Sequence, residues 1–260
     1  MPDPSLTYPF LGGSAFIAGI MNSVAGGGTL LTFPALTGVV SPAVANGTST
    51  TALLPGSFAG AAAYRSELRE SRRFVLRMLA PSLVGGFLGA WLVTENEKAF
   101  ETLVPWLILA AAVLFLVQQP LSRWMRKHRP DHEPGPWGQA GLILFQFCIA
   151  IYGGYFGAGI GILMLTALGF MGVGDIHRMN AVKTLLAATI NAASVVIFVL
   201  KDKIHWEFAL VMAAAAIVGG YLGARVARRL PAIYVRWMVI VIGFGLAVYY
   251  FAKQFITDSP

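Results

Sequence analysis

The chain has 260 residues, of which 57% are hydrophobic and 12% are charged, about half the charged share of an ordinary soluble domain. Residues 4–64 and 134–174 contain no Asp, Glu, Lys or Arg, which excludes a soluble globular domain. The formal net charge is +7, but the basic residues fall between apolar runs, and this pattern argues against nucleic-acid binding. The sequence predicts an all-α integral membrane protein that crosses the lipid bilayer several times.

The first half of the chain predicts four to five membrane segments. An apolar run over residues 10–40 is interrupted by Gly26, Gly27 and Gly28 and is longer than one straight crossing needs. Irregular backbone survives in lipid only where protein or a water-filled cavity surrounds it, so we expect a broken or re-entrant segment here. Helices are predicted at about residues 45–64, 74–93 and 100–117, with a basic loop over residues 65–73.

A basic linker divides the chain into two repeats. Residues 119–138 are rich in Arg, Pro and Gly and have the composition of a surface connection. We therefore predict a first transmembrane repeat over residues 1–118, a cytoplasmic linker, and a second repeat over residues 139–260. The one cysteine, Cys148, lies in an apolar run, so no disulfide or thiolate metal site is predicted. No metal and no cofactor are expected.

The second half repeats the first at an offset of 134 residues, without a gap. Gly27 falls on Gly161 and Asn46 on Asn180, and GGFLGA at residues 85–90 falls on GGYLGA at residues 219–224. One fixed register over so many positions indicates an internal duplication. Hydropathy alone gives about eight helices, and the broken segments raise the number to as many as ten. The GG-(F/Y)-LGA sequences predict close helix packing.

The distribution of basic residues favours inverted repeats over parallel ones, in which Arg178 and Arg225 would lie outside. If each glycine-rich segment enters the membrane and returns, the basic loops over residues 65–73 and 123–129 share the cytoplasmic side with Arg178 and Arg225. The loop that carries Lys201 and Lys203 then lies outside, as do both termini. Duplicated halves with paired Gly/Pro-interrupted segments are typical of secondary transporters, whose substrate sites lie between the repeats near the midplane. Here those segments are residues 22–49 and 156–183.

The same motifs resemble those of the sulfite exporter TauE/SafE family of membrane permeases. AGGGTLLTFPAL and VANGTSTTALLPGSFAGAAAY carry the resemblance in the first half, and GGYFGAGIGILMLTALGF and MNAVKTLLAATINAASVVIF in the second. The resemblance implies transport of a small sulfur-containing or organic anion, such as sulfite, a sulfonate or sulfoacetate, across a bacterial inner membrane. An anion channel of the same fold, or an intramembrane enzyme, is the alternative. The oligomeric state is left open, with a homodimer as one option.

An anion within the membrane needs fixed donors in place of its hydration. We expect Asn46 and Asn180 to begin two helices whose N-termini converge on the anion, although both residues could be ordinary N-caps. Lys183 aligns with Ser49 and is the natural counter-ion, unless it extends to the membrane surface. The predicted substrate-binding residues are Gly26, Gly27, Gly28, Thr29, Asn46, Gly47, Thr48, Ser49, Ser57, Gly161, Asn180, Lys183, Thr184 and Asn191.

Several of these residues have a structural interpretation beside the functional one. The glycines could serve close packing alone, and each hydroxyl could bond to a carbonyl of its own helix. Asp175 and His177 precede the second predicted helix start and are candidates for proton coupling. They could equally be surface charges in a loop.

Overall fold

The structure is a computed structural model that describes residues 4–24, 27–127, 135–170, 176–226 and 232–257. Within these residues all regular elements are α-helices, eleven in number. In chain order they are α1 (Pro4–Val24), α2 (Thr29–Thr37), α3 (Pro42–Ala63), α4 (Arg65–Glu70), α5 (Arg72–Glu95), α6 (Glu97–Lys127), α7 (Pro136–Tyr155), α8 (Ile160–Phe170), α9 (Ile176–Leu200), α10 (Trp206–Val226) and α11 (Ala232–Thr257). The all-α prediction is confirmed, and α4 is an addition to the ten predicted segments.

Helices in both halves of the chain have the length and hydropathy of membrane-spanning segments. Five described stretches are long and apolar enough to cross a bilayer, namely Arg72–Glu95, Glu97–Leu121, Trp137–Tyr155, His177–Leu200 and Trp237–Gln254. Ile160–Gly169 and Trp206–Leu222 are shorter apolar helices. The chain is a multi-pass membrane protein. Helix α6 ends, and helix α7 begins, inside the predicted linker. Residues 128–134 of the linker lie outside the described residues, so the limits of the linker stay a prediction.

The two glycine-rich segments are broken, as predicted. Helices α2 and α8 contain 9 and 11 residues, which gives lengths of about 14 and 17 Å, roughly half of a 30 Å hydrocarbon core. The Gly28 N–H donates to Asn22 Oδ1 at 2.8 Å, so α2 begins beside the last turns of α1. Each segment therefore pairs a long helix with a half-length one.

The helix bounds reproduce the duplication. Helices α3 and α9 start at Pro42 and Ile176, and α5 and α10 start at Arg72 and Trp206. Both pairs differ by the 134 residues of the sequence register. The starts of α1, α2 and α6 correspond to those of α7, α8 and α11 within three residues. The described helices therefore divide into α1–α6 and α7–α11, and α4 has no counterpart in the described part of the second half.

Helices α3 and α9 run antiparallel along each other. Early in α3, a Cβ on Gly47 would lie 3.0 Å from Cγ of Phe198, which is late in α9. Late in α3, a Cβ on Gly60 would lie 3.3 Å from Cγ2 of Thr184, which is early in α9. This register places the equivalent residues Pro55 and Thr189 opposite each other. Equivalent helices that cross in opposite directions are the signature of inverted repeats, whose pseudo-two-fold axis lies in the membrane plane.

Ion pairs define the two faces of the molecule. On one, the lysine face, Lys201 Nζ lies 2.7 Å from Glu95 Oε1 and Lys203 Nζ lies 2.6 Å from Glu97 Oε1. On the other, the arginine face, Arg178 pairs with Glu70 of α4. Arg178 therefore lies with the basic loop of the first repeat, on the side opposite Lys201 and Lys203. This arrangement agrees with the inverted topology that the charges predicted.

The GG-(F/Y)-LGA sequences join each repeat to the other. A Cβ on Gly89 of α5 would overlap the carbonyl oxygen of Ile151 in α7, and a Cβ on Gly219 of α10 would overlap that of Phe16 in α1. The predicted close packing is confirmed. It is exchanged between the halves, because the first helix of each repeat packs on the third long helix of the other, where glycine lets the backbones touch.

An aromatic cluster fixes the end of α7. The ring of Phe33 packs edge-to-face on Phe156 and Phe100 at centroid distances of 5.2 and 6.2 Å. Phe100 in turn contacts Tyr155 at 5.3 Å. Phe33, Phe100 and Phe156 are fully buried. Since aromatic contacts of this kind hold rings in defined positions, the carbonyl of Tyr155 is held against α3.

Candidate functional site

Glycines shape the first break. Gly27 has φ +89°, and a Cβ there would lie 2.5 Å from Cζ of Phe115. Only glycine adopts this conformation without cost and fits this space. The N–H of Gly28 is already bonded to Asn22 Oδ1, so it is not available to an anion. Of the predicted glycines, Gly27 thus forms a turn, and Gly28 uses its N–H within the protein. Gly26 lies outside the described residues.

The second break uses different glycines from those that the alignment predicts. Gly157 and Gly159 have φ +79° and +80°, and Tyr152 Oη donates to the carbonyl of Ala158 at 2.7 Å. Gly161, which aligns with Gly27, lies inside α8 instead. Gly157 and Gly159 were not among the predicted residues, although the alternation in FGAGIG is a recognisable turn signal. Both breaks meet α6, since Gly27 lies against Phe115 and Gly159 against Leu114.

The expected helix starts at Asn46 and Asn180 are wrong. Helix α3 begins at Pro42, after Ser41 in extended conformation with ψ 153°, and proline is favoured in the first turn because it needs no N–H partner there. Asn46 and Asn180 therefore lie one turn inside α3 and α9, and neither is an N-cap. Their side chains are therefore available to bond to other side chains or to a neighbouring helix.

The first cluster is a buried polar group at the lysine-face end of α3. Asn46 is 1% exposed, and its Nδ2 donates to the carbonyl of Tyr155 at 2.9 Å. The hydroxyls of Thr32 and Ser49 lie 2.6 Å apart. Thr48 Oγ1 accepts a bond from the backbone N–H of His205 at 2.9 Å, and Gly47 allows the carbonyl of Lys203 to approach. Asn46, Gly47 and Thr48 thus attach α3 to the second repeat, whereas Ser49 attaches it to α2 of its own repeat.

The second cluster surrounds Lys183 on α9. Its ammonium donates to Asn180 Oδ1 at 3.1 Å, and Thr184 Oγ1 donates to the carbonyl of Asn180 at 2.7 Å. A Cβ on Gly161 would lie 3.3 Å from Cδ of Lys183, so this glycine makes room for the lysine stem. No carboxylate among the described residues forms an ion pair with Lys183. A half-buried cation without a counter-ion in that part of the chain is the main electrostatic feature of the site.

The two clusters do not converge, which corrects the sequence expectation. Gly47 lies beside Phe198, and Phe198 is eighteen residues from Asn180 on the same helix, about 27 Å at 1.5 Å per residue. Inverted repeats place equivalent residues on opposite sides of the axis. Lys183 lies six residues from Thr189, about 9 Å from the axis level. It is thus within the hydrocarbon thickness and towards the arginine face.

The other predicted site residues do not belong to these two clusters. Ser57 and Asn191 are half-buried and lie two residues beyond Pro55 and Thr189, close to the axis. Ser57 Oγ donates to the carbonyl of Leu53 at 3.2 Å, within its own helix. Thr29 is half-buried at the start of α2, and His177 is exposed at the start of α9. Asp175 lies outside the described residues.

Comparison with known proteins agrees with this architecture. The family model for the sulfite exporter TauE/SafE matches residues 11–250. A probable membrane transporter protein of Haemophilus influenzae is 31% identical over 236 residues, which cover 88% of each chain. The probable membrane transporter protein YfcA of Escherichia coli K12 is 30% identical over 222 residues, 83% of this chain and 77% of that protein.

A third relative, the probable membrane transporter protein ORF9 of a Sinorhizobium species, is 27% identical over 242 residues, 92% of this chain and 90% of that protein. No solved structure gives a significant match. The family model covers nearly the whole chain, including both broken segments and both clusters. The relatives' names indicate a membrane transporter rather than an enzyme. This chain is a membrane transporter that belongs to the sulfite exporter TauE/SafE family.

Proposed function

We propose that the protein is a secondary transporter that moves a small sulfur-containing or organic anion, such as sulfite, a sulfonate or sulfoacetate, across the bacterial inner membrane. The observation that carries this proposal is Lys183, a cation held about 9 Å from the axis level without a described carboxylate partner. An ionisable group at such depth is costly and usually faces a substrate pathway. An anion that replaces water around the ammonium would offset that cost.

Asn180 completes the anion site in this proposal. Its Oδ1 accepts the bond from Lys183, which orients the amide so that its NH₂ group remains a donor. Ammonium and amide together then present N–H groups to two oxygens of one anion, in a charge-assisted arrangement. In this proposal Thr184 and Ser57 would lie between this site and the axis level, and Asn191 would lie just beyond it. Gly161 acts through Lys183, because it leaves the space that the lysine stem occupies.

Alternating access would come from movement of one repeat against the other. Each described ion pair joins the two repeats: Glu70 to Arg178 on the arginine face, and Glu95 to Lys201 and Glu97 to Lys203 on the lysine face. Separation of the pairs on one face, while those on the other remain, would open the site to one side only. Exposed pairs of this kind contribute little stability, so their exchange is compatible with rapid turnover.

The test is transport by the purified protein in proteoliposomes. Sulfite, thiosulfate, sulfoacetate, taurine and small carboxylates are offered, with and without a pH gradient. We expect saturable uptake of at least one sulfur-containing anion, together with counterflow against the same anion loaded inside. Movement without counterflow would identify the channel alternative. No movement of any of these anions by a protein that is correctly inserted would contradict the proposal.

A further inference from the structure

Asn46 carries a buried oxygen atom that has no partner among the described residues. The residue is 1% exposed and its Nδ2 is bonded to the carbonyl of Tyr155, but no described residue donates a hydrogen bond to its Oδ1. A buried acceptor without a donor costs free energy, and native proteins usually satisfy it with a donor, a water molecule or an ion. Since the amide nitrogen is already engaged, the free position calls for a cation or a donor, not for an anion.

Neutral oxygens are among the groups that lie with Asn46 in the first cluster. Ser49 lies one turn further along the same face of α3, and its hydroxyl lies 2.6 Å from that of Thr32. Both residues are completely buried. Helix α7 ends at Tyr155, and the carbonyls at a helix C-terminus carry partial negative charge. Hydroxyl, amide and main-chain oxygens of this kind are the ligands that hard cations prefer.

The second repeat shows which ligand fits this arrangement. Asn180 is the equivalent of Asn46, and its Oδ1 is occupied by the ammonium of Lys183 at 3.1 Å. Thr32 and Thr166 are also equivalent, and each hydroxyl bonds a carbonyl four residues earlier, that of Gly28 or Ile162. The first repeat has Ser49 where the second has Lys183. The same asparagine oxygen therefore holds a positive charge in one repeat and has no partner in the described part of the other.

We propose that Asn46 Oδ1, with the hydroxyl oxygens of Thr32 and Ser49 and neighbouring main-chain carbonyls, binds a sodium ion. A monovalent cation is favoured over a divalent one, because the ligands are neutral and offset little charge in a dry interior. The site is separate from that of the anion. It lies at the lysine-face end of α3, whereas Lys183 lies towards the arginine face.

The test is equilibrium binding of radioactive ²²Na⁺ to the purified full-length protein in detergent, without any anion substrate. We expect saturable binding that excess unlabelled NaCl displaces and that choline chloride at equal ionic strength does not. Asn46→Ala is expected to weaken binding by about tenfold or more, as the loss of groups around bound metals does. Thr51→Ala is the matched control, because Thr51 is half-buried on the same helix and bonds only the carbonyl of Gly47.

A second variant tests the comparison of the repeats directly. Ser49→Lys brings the side chain of the second repeat into the first, and its ammonium is expected to occupy Asn46 Oδ1 and abolish ²²Na⁺ binding. If this variant does not yield folded protein, Asn46→Asp replaces it; the added charge is expected to tighten binding. Monodisperse size-exclusion profiles establish folding in each case.

The inference is overturned if folded wild-type protein shows no saturable ²²Na⁺ binding, which would leave a water molecule on Asn46. It is equally overturned if binding is unchanged in Asn46→Ala, or in the folded second variant. Because no anion is present, failure of the proposed anion transport would leave this result unaffected.

Discussion

Lys183 donates its ammonium to the side-chain oxygen of Asn180, one turn earlier on α9, at 3.1 Å. The bond holds the ammonium beside the amide of Asn180 on α9. A cation and an amide group are thereby presented together by a single turn of helix.

Lys183→Ala is expected to lower anion transport by about 30-fold or more, which corresponds to about 2 kcal/mol. This value is at the lower end of the cost of removing one partner from a buried charged contact. Lys183→Arg keeps the charge but is bulkier, so partial activity is expected. The measurement is initial uptake in proteoliposomes. Lys98→Ala is the control, since Lys98 is exposed at the start of α6. Unchanged uptake by Lys183→Ala would assign the lysine to membrane anchoring.

Gly161→Val is expected to reduce transport without preventing insertion. A Cβ at this position already lies 3.3 Å from Cδ of Lys183, and the two further methyl groups would displace the lysine stem from Asn180. The effect should appear in transport and not in the yield of inserted protein. Gly141→Val on α7 is the control, because a Cβ there would have no neighbour within 4 Å. Full activity of Gly161→Val would show that the Lys183 position is not critical.

Cysteines at positions 66 and 202 are expected to react with membrane-impermeant reagents from opposite sides. Ser66 and Asp202 are exposed, and they lie in the corresponding connections α3–α5 and α9–α10. Inverted repeats place these connections on different faces, with position 66 on the cytoplasmic side. The experiment uses Ser66→Cys and Asp202→Cys in a Cys148→Ser background, with intact cells and inverted vesicles. Labelling of both from one side would refute the inversion.

Gly89→Ala is expected to destabilise the protein by about 1–3 kcal/mol, the usual cost of overpacking. The added Cβ would overlap the carbonyl of Ile151, which belongs to α7 of the other repeat. Thermal unfolding in detergent is the measurement. Gly245→Ala is the control, because a Cβ there would meet nothing within 4 Å. An equal melting temperature for the two variants would show that α5 and α7 can separate at little cost.

The sequence predicted the repeat, its register and the two breaks, because hydropathy, glycine spacing and the 134-residue offset are properties of the chain alone. It did not predict the separation of Asn46 from Asn180. Equivalent residues look alike in a sequence whichever way the repeats point, and only the antiparallel contacts of α3 and α9 place them far apart. The start of α3 was also predicted at the wrong residue, because Pro42 favours the first turn of a helix more strongly than Asn46 does.

The roles of individual glycines could be predicted only in part. The GG-(F/Y)-LGA spacing identified the packing of α5 and α10, because small residues at one helix face indicate close approach. By contrast, Gly161 aligns with Gly27 but makes room for Lys183, while Gly157 and Gly159 form the second turn. Alignment of the two halves cannot distinguish these roles, because both positions require glycine for the same reason: it has no side chain.

The contact of α1 with α10 has a consequence for biosynthesis. Helix α1 is made first, but the helix whose glycines fit its backbone starts at Trp206, far along the chain. The first helix therefore enters the membrane long before its partner exists, and its glycine-lined surface is not packed against α10 until then. Contacts between such distant segments slow folding. Truncated nascent chains that end before α10 should consequently be recognised as incomplete and be degraded by membrane proteases, even though all their own membrane segments have been inserted.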